Sequence, residues 1–253
     1  MNPNPCAPLA EHALAVRAER IDTDNWIDDF EAASPHVDAA LGLGATRQGE
    51  LAMVRSRIPF SHFNMVLTLG CPAAADRATF GTIDRFYADG GAGRHWVLFT
   101  DHSRPRDLER HLLARGYAPG GAWERVVCQT VPADRWASQA QGCEFVTAAN
   151  QAEWSGCLLG CYGMPPLTAD WLHALVGRRG WMHAIRRDGA VVMASSFYQG
   201  GDGWAGLGID APVPGVMAPC LEDDQRVTAT LLAAAAAQGA QAFVGDIELP
   251  SSA

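Results

Sequence analysis

Gly180–Ala211 reads GWMHAIRRDGAVVMASSFYQGGDGWAGLGIDA. Trp181 to Arg186 and Ala190 to Tyr198 are strand-like runs of β-branched, aromatic and alternating residues. Asp188-Gly189 between them accepts the positive φ angles of a tight turn, so the pair predicts a hairpin. Gly200 to Gly203 makes a second turn, and Trp204 to Ala211 a third antiparallel strand. Downstream, PVPGVMAP (Pro212–Pro219) precedes a long alanine-dominated helix ending at Gln238-Gly239, and Ala242 to Glu248 is one more strand.

Upstream, the same order of elements recurs. Ala10 to Ala33 is a helix with Trp26, Ile27 and Phe30 at helical spacing, and its acids Asp22, Asp24, Asp28 and Asp29 read as a solvated face. Leu51 to Arg57 and Phe63 to Leu69 are strands. Ala73 to Ala88 is a helix stopped by Gly90 and Gly91, and His95 to Thr100 is a strand. A helix opened by Pro105 carries Leu108, Leu112 and Leu113, and Trp123 to Thr130 is a strand. Trp154 to Tyr162 and Thr168 to Val176 are helices ahead of the meander. The fold class is therefore α/β in the mixed α+β sense: two units, each a largely antiparallel sheet with flanking helices. The expected division is residues 1–132, a linker at 133–142, and 143–253. The second unit is expected to end early, straight after its last strand.

In these residues the second half resembles the GNAT superfamily of acetyltransferases: the quoted meander, then LLAAAAAQGA (Leu231–Ala240), then QAFVGDIE (Gln241–Glu248). FNMVLTLG (Phe63–Gly70), FYADGG (Phe86–Gly91), LERHLLARGY (Leu108–Tyr117) and WERVVCQT (Trp123–Thr130) look like a divergent second copy, as in tandem GNAT proteins. The resemblance implies acetyl-CoA-dependent N-acetylation of a small-molecule amine. The cofactor would lie in a split between the last meander strand and the strand after the helix. Its pyrophosphate would sit at the helix start, where unpaired amides and the dipole receive an anion. Asp210 and Glu248, ending the two strands of that split, are the candidate bases, with Asp246 beside Glu248 and His183 on the first meander strand. Ala211, Val213, Gly215, Gln225 and Arg226 are the candidate cofactor contacts.

The helix start departs from the family's Q/R-x-x-G-x-G/A pattern. Pro219-Cys220-Leu221-Glu222-Asp223-Asp224 holds no glycine and three carboxylates. Each acid about 4 Å from a phosphate would cost on the order of 4 kcal/mol before screening. A second expectation follows: a degenerate GNAT scaffold that has lost CoA use and serves as a ligand-binding or interaction protein, or runs other chemistry in the cleft.

Composition bounds both expectations. The 253 residues carry 19 Lys plus Arg, 28 Asp plus Glu and a net charge of −9. All the cations are arginine, which excludes Schiff-base lysine, pyridoxal-phosphate and P-loop chemistry. The acidic balance argues against nucleic acid or anionic membrane as partners. The N-terminal residues show no signal peptide or membrane span, so the expected compartment is the cytoplasm. A strand edge left bare after Glu248 favours a homodimer. Seven scattered cysteines read as reduced thiols, and no metal site is expected: Cys157 and Cys161 share a helix face without further ligands.

Overall fold

The computed structural model describes residues 11–90, 94–129, 136–140, 142–214 and 220–248. Among these residues no helix is long and apolar enough to cross a membrane.

The chain opens with α1 (Glu11–Glu31) and α2 (Pro35–Leu41). Ser34 caps α2 by accepting a hydrogen bond from the Val37 amide, and Gly42, in the left-handed region, ends it. The first sheet has the order β1 (Gly44–Gln48), β2 (Leu51–Arg55), β3 (Met65–Leu67), β4 (Trp96–Val97). Its first three strands are antiparallel, and β4 returns parallel to β3 after α3 (Arg77–Gly90). Helix α4 (Leu108–Ala114) follows.

The second sheet holds six strands: β5 (Trp123–Gln129), β6 (Cys143–Phe145), β7 (Trp181–Asp188), β8 (Ala190–Gln199), β9 (Trp204–Pro212) and β10 (Ala242–Glu248). Their spatial order is β5-β10-β9-β8-β7-β6. The meander β7-β8-β9 is antiparallel, and β10 runs parallel to β9. Strand β5, upstream of the expected linker, joins this second sheet. It pairs with β10 along its whole length, from Trp123 opposite Glu248 to Gln129 opposite Ala242. The edge that the sequence leaves bare after β10 is thus covered by a strand from the first half.

Helices α5 (Gln151–Tyr162) and α6 (Thr168–Leu175) pack on one face of the second sheet, and α7 (Leu221–Ala237) on the other. Trp154 and Leu158 of α5 meet Ile185 and Ala194. Val227, Leu231 and Ala235 of α7 meet Met193, Phe197 and Phe243. Helix α1 lies between the sheets. Phe30 faces the first core, where its ring stands 5.0 Å from that of Trp171, and Ile21 faces the second through Trp204 and Val244.

Candidate functional site

Strands β9 and β10 pair from Trp204–Ala242 to Gly206–Val244 and then part. Beyond that point β9 continues to Pro212 and β10 to Glu248. The cause is a bulge. Ser195 pairs with Asp210 and Phe197 with Leu207, so the single residue Ser196 opposes Gly208 and Ile209 together. An extra residue bends its strand away from a straight ladder. A Cβ on Gly208 would stand 3.2 Å from the Ser196 Cβ and 3.3 Å from the Trp181 ring, so the bend uses a residue without a side chain. The result is a fork with β9 and β10 as its arms.

Asp210 lies on the β9 arm, in register with Ser195 and thus on the face that α7 covers. Its tip reaches solvent, but enough protein surrounds the carboxyl that its pKa is pushed up to about 6, by desolvation first and by the charge of Asp224 second. Ser195 is buried, and its Oγ has no hydrogen-bond partner among the described residues. The Tyr162 hydroxyl, from the end of α5, donates to the Asp210 carbonyl.

Helix α1 crosses the fork from the other face. Asn25, buried, donates from Nδ2 to the Leu207 carbonyl on the β9 arm at 3.1 Å. Asp22 and Glu19 reach Arg125 of β5 at 3.2 and 3.0 Å, and Arg125 also holds Asp246 of the β10 arm at 2.9 Å. Three carboxylates share one guanidinium here. Burial outweighs the attraction of Arg125 and raises the pKa of Glu19 to about 7. One turn beyond Asn25, Asp28 takes two hydrogen bonds from Arg178, at 2.7 and 2.8 Å, and one from Trp181 at 2.7 Å. Asp29 has a buried Oδ1 without a partner among the described residues, and burial followed by the charge of Asp28 raises its pKa to about 8. The acidic run of α1, read as a solvated face, is corrected here: Asp22, Asp28 and Asp29 are turned inward because α1 lies between two sheets.

The other expected site residues fall as follows. Ala211 is buried behind the fork, its carbonyl accepting a hydrogen bond from the Cys157 thiol at 3.5 Å. Val213 donates its amide to the Val192 carbonyl at 3.1 Å, just past the end of β9. Gly215 lies outside the described residues. Gln225 is exposed on α7, and Arg226 is ion-paired to Glu222 within the same helix. Glu248 ends the β10 arm, in register with Trp123. His183 is placed in the core, away from the fork. It lies beside the Trp154 and Trp181 rings with ring nitrogens 3.0 Å from Ser196 Oγ and 3.2 Å from the Leu175 carbonyl, and burial lowers its pKa to about 4. Neutral and engaged at both nitrogens, it has packing and hydrogen bonding to satisfy first.

The start of α7 is where the resemblance puts a pyrophosphate. Glu222, Asp223 and Asp224 fill its first turn, and Cys220 supplies no side-chain cap. Both nearby guanidiniums are engaged, Arg186 within 3.1 Å of Asp223 and Arg226 with Glu222. Two carbonyls on the β9 arm are taken by Asn25 and Tyr162. The backbone forms the fork, but the described side chains do not fit the pyrophosphate of acetyl-CoA.

No family model matches the chain, and no curated protein does. Solved structures do. A GCN5-related N-acetyltransferase from Kribbella flavida superposes with a TM-score of 0.56 at 13% identity, covering 92% of this chain and 86% of that one. One from Sphaerobacter thermophilus gives 0.52 at 12%, covering 97% and 86%. A conserved protein of unknown function from Staphylococcus epidermidis gives 0.52 at 7%, covering 88% and 90%. The likeness is one of fold: this chain has the mixed α/β, GNAT-like architecture, with two sheets of four and six strands.

Proposed function

We propose that the chain is a GNAT-like acyltransferase whose acceptor is a small amine held at the fork. The observation that carries this reading is Asp210, a carboxylate on the diverging arm of β9 with its pKa raised to about 6. At pH 7 such a group is mostly ionised, attracts an ammonium, and is a better proton acceptor than an ordinary aspartate. Asp224 adds negative potential on the same side. Acetyl-CoA is the donor that the related fold suggests. Because the start of α7 does not fit its pyrophosphate, no step is derived through it.

That misfit favours a second reading: a GNAT-fold protein that binds an amine without transferring an acyl group. Titration calorimetry with acetyl-CoA, and with putrescine and tyramine as amines, separates the two, together with an assay for CoA release from mixtures. The transferase reading expects CoA release that depends on the amine, and a loss of tenfold or more in kcat/KM for Asp210→Asn. The binding reading expects heat with amine and none with millimolar acetyl-CoA. A folded sample that binds neither ligand refutes both. On either reading amine binding weakens as pH falls through about 6, because protonation of Asp210 removes the charge that holds the ammonium.

A further inference from the structure

The first half holds a cavity that shares no residue with the fork. Its volume is about 300 Å³, and it lies between the turn that joins β1 to β2, at residues 48–51, and the first turns of α3. Residues from the segment after β3, 68–75, close it. That size is at the low end of small-molecule sites, which hold roughly 300–1,000 Å³.

The lining decides what the cavity accepts. Glu50 and Asp76 are its charged residues, and no arginine or histidine among the described residues lines it. Asp76 is already engaged: its Oδ1 accepts from the Thr79 amide and from the Thr79 hydroxyl, both at 2.8 Å, at the start of α3. The Glu50 carboxylate has no hydrogen bond or ion pair among the described residues, and only its backbone carbonyl is used, by the Thr68 hydroxyl. The helix dipole puts about half a positive charge at the start of α3, against two full negative charges. The balance is negative and turns anions away. Cys71, in the same wall, feels that field. Burial first, then the charges of Glu19 and Glu50, raise its thiol pKa against the pull of Arg104.

On its other side Glu50 borders a recess of about 10 Å³ toward α1, also lined by Arg20 and Arg47. Arg47 pairs with Asp24, and neither arginine pairs with Glu50. Thr23 Oγ1, in that recess, is buried and has no partner among the described residues. Along this wall the protein leaves acceptors unmet, and what is missing is a donor.

We infer that the cavity binds a short alkylamine as its ammonium: the head donates to the Glu50 carboxylate, and the chain lies on Leu51 and on the methyl groups of Ala73, Ala74 and Ala78. An ammonium carries three donors and no acceptor, which suits a wall of acceptors. The site stands apart from the fork and does not depend on the amine reading of it.

The test is titration calorimetry of the full chain at pH 7 with n-butylamine, n-butanol and butyrate, which are alike in size and differ in charge. n-Butylamine is a cation at that pH. Wild type is expected to bind it at least tenfold more tightly than either of the others, the equivalent of one hydrogen bond to a charged group. Glu50→Gln keeps the backbone carbonyl that Thr68 uses and should weaken n-butylamine at least tenfold. Ala78→Phe, at an exposed position on α3, fills the cavity and should weaken it as much. Both side chains reach solvent, so both variants are expected to unfold at the wild-type temperature. Asp210→Asn should leave n-butylamine binding unchanged. The inference is overturned if wild type gives no heat with millimolar n-butylamine, or if n-butanol or butyrate binds as tightly. It is overturned as well if the loss follows Asp210→Asn and not Glu50→Gln, which moves the amine to the fork.

Discussion

The joint between β3 and β4 and the joint between β9 and β10 occupy equivalent places in the two sheets, each a parallel pair formed across a helix. The first stays closed. Leu98 donates to Val66 at 2.9 Å, Leu69 to Leu98 at 3.3 Å, and Arg104 to Gly70 at 2.8 Å, so the backbone ladder continues past both strands. The turn into α3 is pinned as well, with Ala75 bonded to Arg104 and Asp76 accepting from Thr79 at 2.8 Å. The second joint opens after three residue pairs. Its helix start has no side-chain cap and carries three acids. Repeating an order of elements therefore does not repeat a site. The bulge at Gly208 and Ile209, which has no equivalent in the described first sheet, separates a fork from a closed seam.

The largest effect expected from disturbing this contrast is on the closed side. A Cβ on Gly70 would stand 2.4 Å from the Arg104 carbonyl, at a φ of +76°. Gly70→Ala should cost more than about 2 kcal/mol in urea unfolding, through clash and backbone strain together. Gly239→Ala, at φ +91° with nothing within 4 Å, has only the strain and should cost about 1 kcal/mol.

On helix α1 the next effect has the opposite sign. The carboxyl of Asp29 titrates near 8 when folded against an ordinary value of 3.8, so the folded state binds its proton more tightly than the unfolded state does. The resulting penalty is absent below about pH 4, grows as pH rises, and is complete above about pH 8. Asp29→Asn should therefore stabilise the protein by roughly 1–3 kcal/mol at pH 9 and by little at pH 4. Equal unfolding midpoints for the two proteins at pH 9 would show that Asp29 is solvated.

Asn25→Ala, which leaves the Leu207 carbonyl without its partner, should cost about 1 kcal/mol. The smallest is Arg226→Ala, which breaks an exposed i,i+4 pair with Glu222 and should change stability by less than about 0.5 kcal/mol. A larger loss there would give the start of α7 a structural role that its exposed pair does not suggest.

The fold was legible where pattern and length agree. The meander and the closing strand were expected at Trp181–Arg186, Ala190–Tyr198, Trp204–Ala211 and Ala242–Glu248, and they form at Trp181–Asp188, Ala190–Gln199, Trp204–Pro212 and Ala242–Glu248. Strand β1, GATRQ, and strand β6, CEF, escaped because they are short and lack a run of apolar or alternating residues. His95–Thr100 shrank to Trp96–Val97, although backbone bonding continues to Leu98. Asp210, the residue on which the proposed site rests, could be named from the sequence because it stands near the end of a meander strand. The inward placement of Asp29 and Asn25 could not be named, since it depends on α1 lying between two sheets, which local periodicity does not encode. The burial of His183 was hidden for a related reason: which face of an inner strand meets Trp154, Trp181 and the Leu175 carbonyl is set by packing and not by the strand's own pattern.

The sharing of β5 between the halves also sets a timetable. On a ribosome adding about 5–20 residues per second, β5 is made roughly 6–24 s before the strand it will lie against, because Trp123 and Ala242 are 119 residues apart in the chain. During that interval the newly made strand lacks β10, its one sheet neighbour among the described residues, and offers bare amides and carbonyls to any passing chain. Closure of the second sheet must await β10, so a strand made later completes a sheet that β5 cannot join before it.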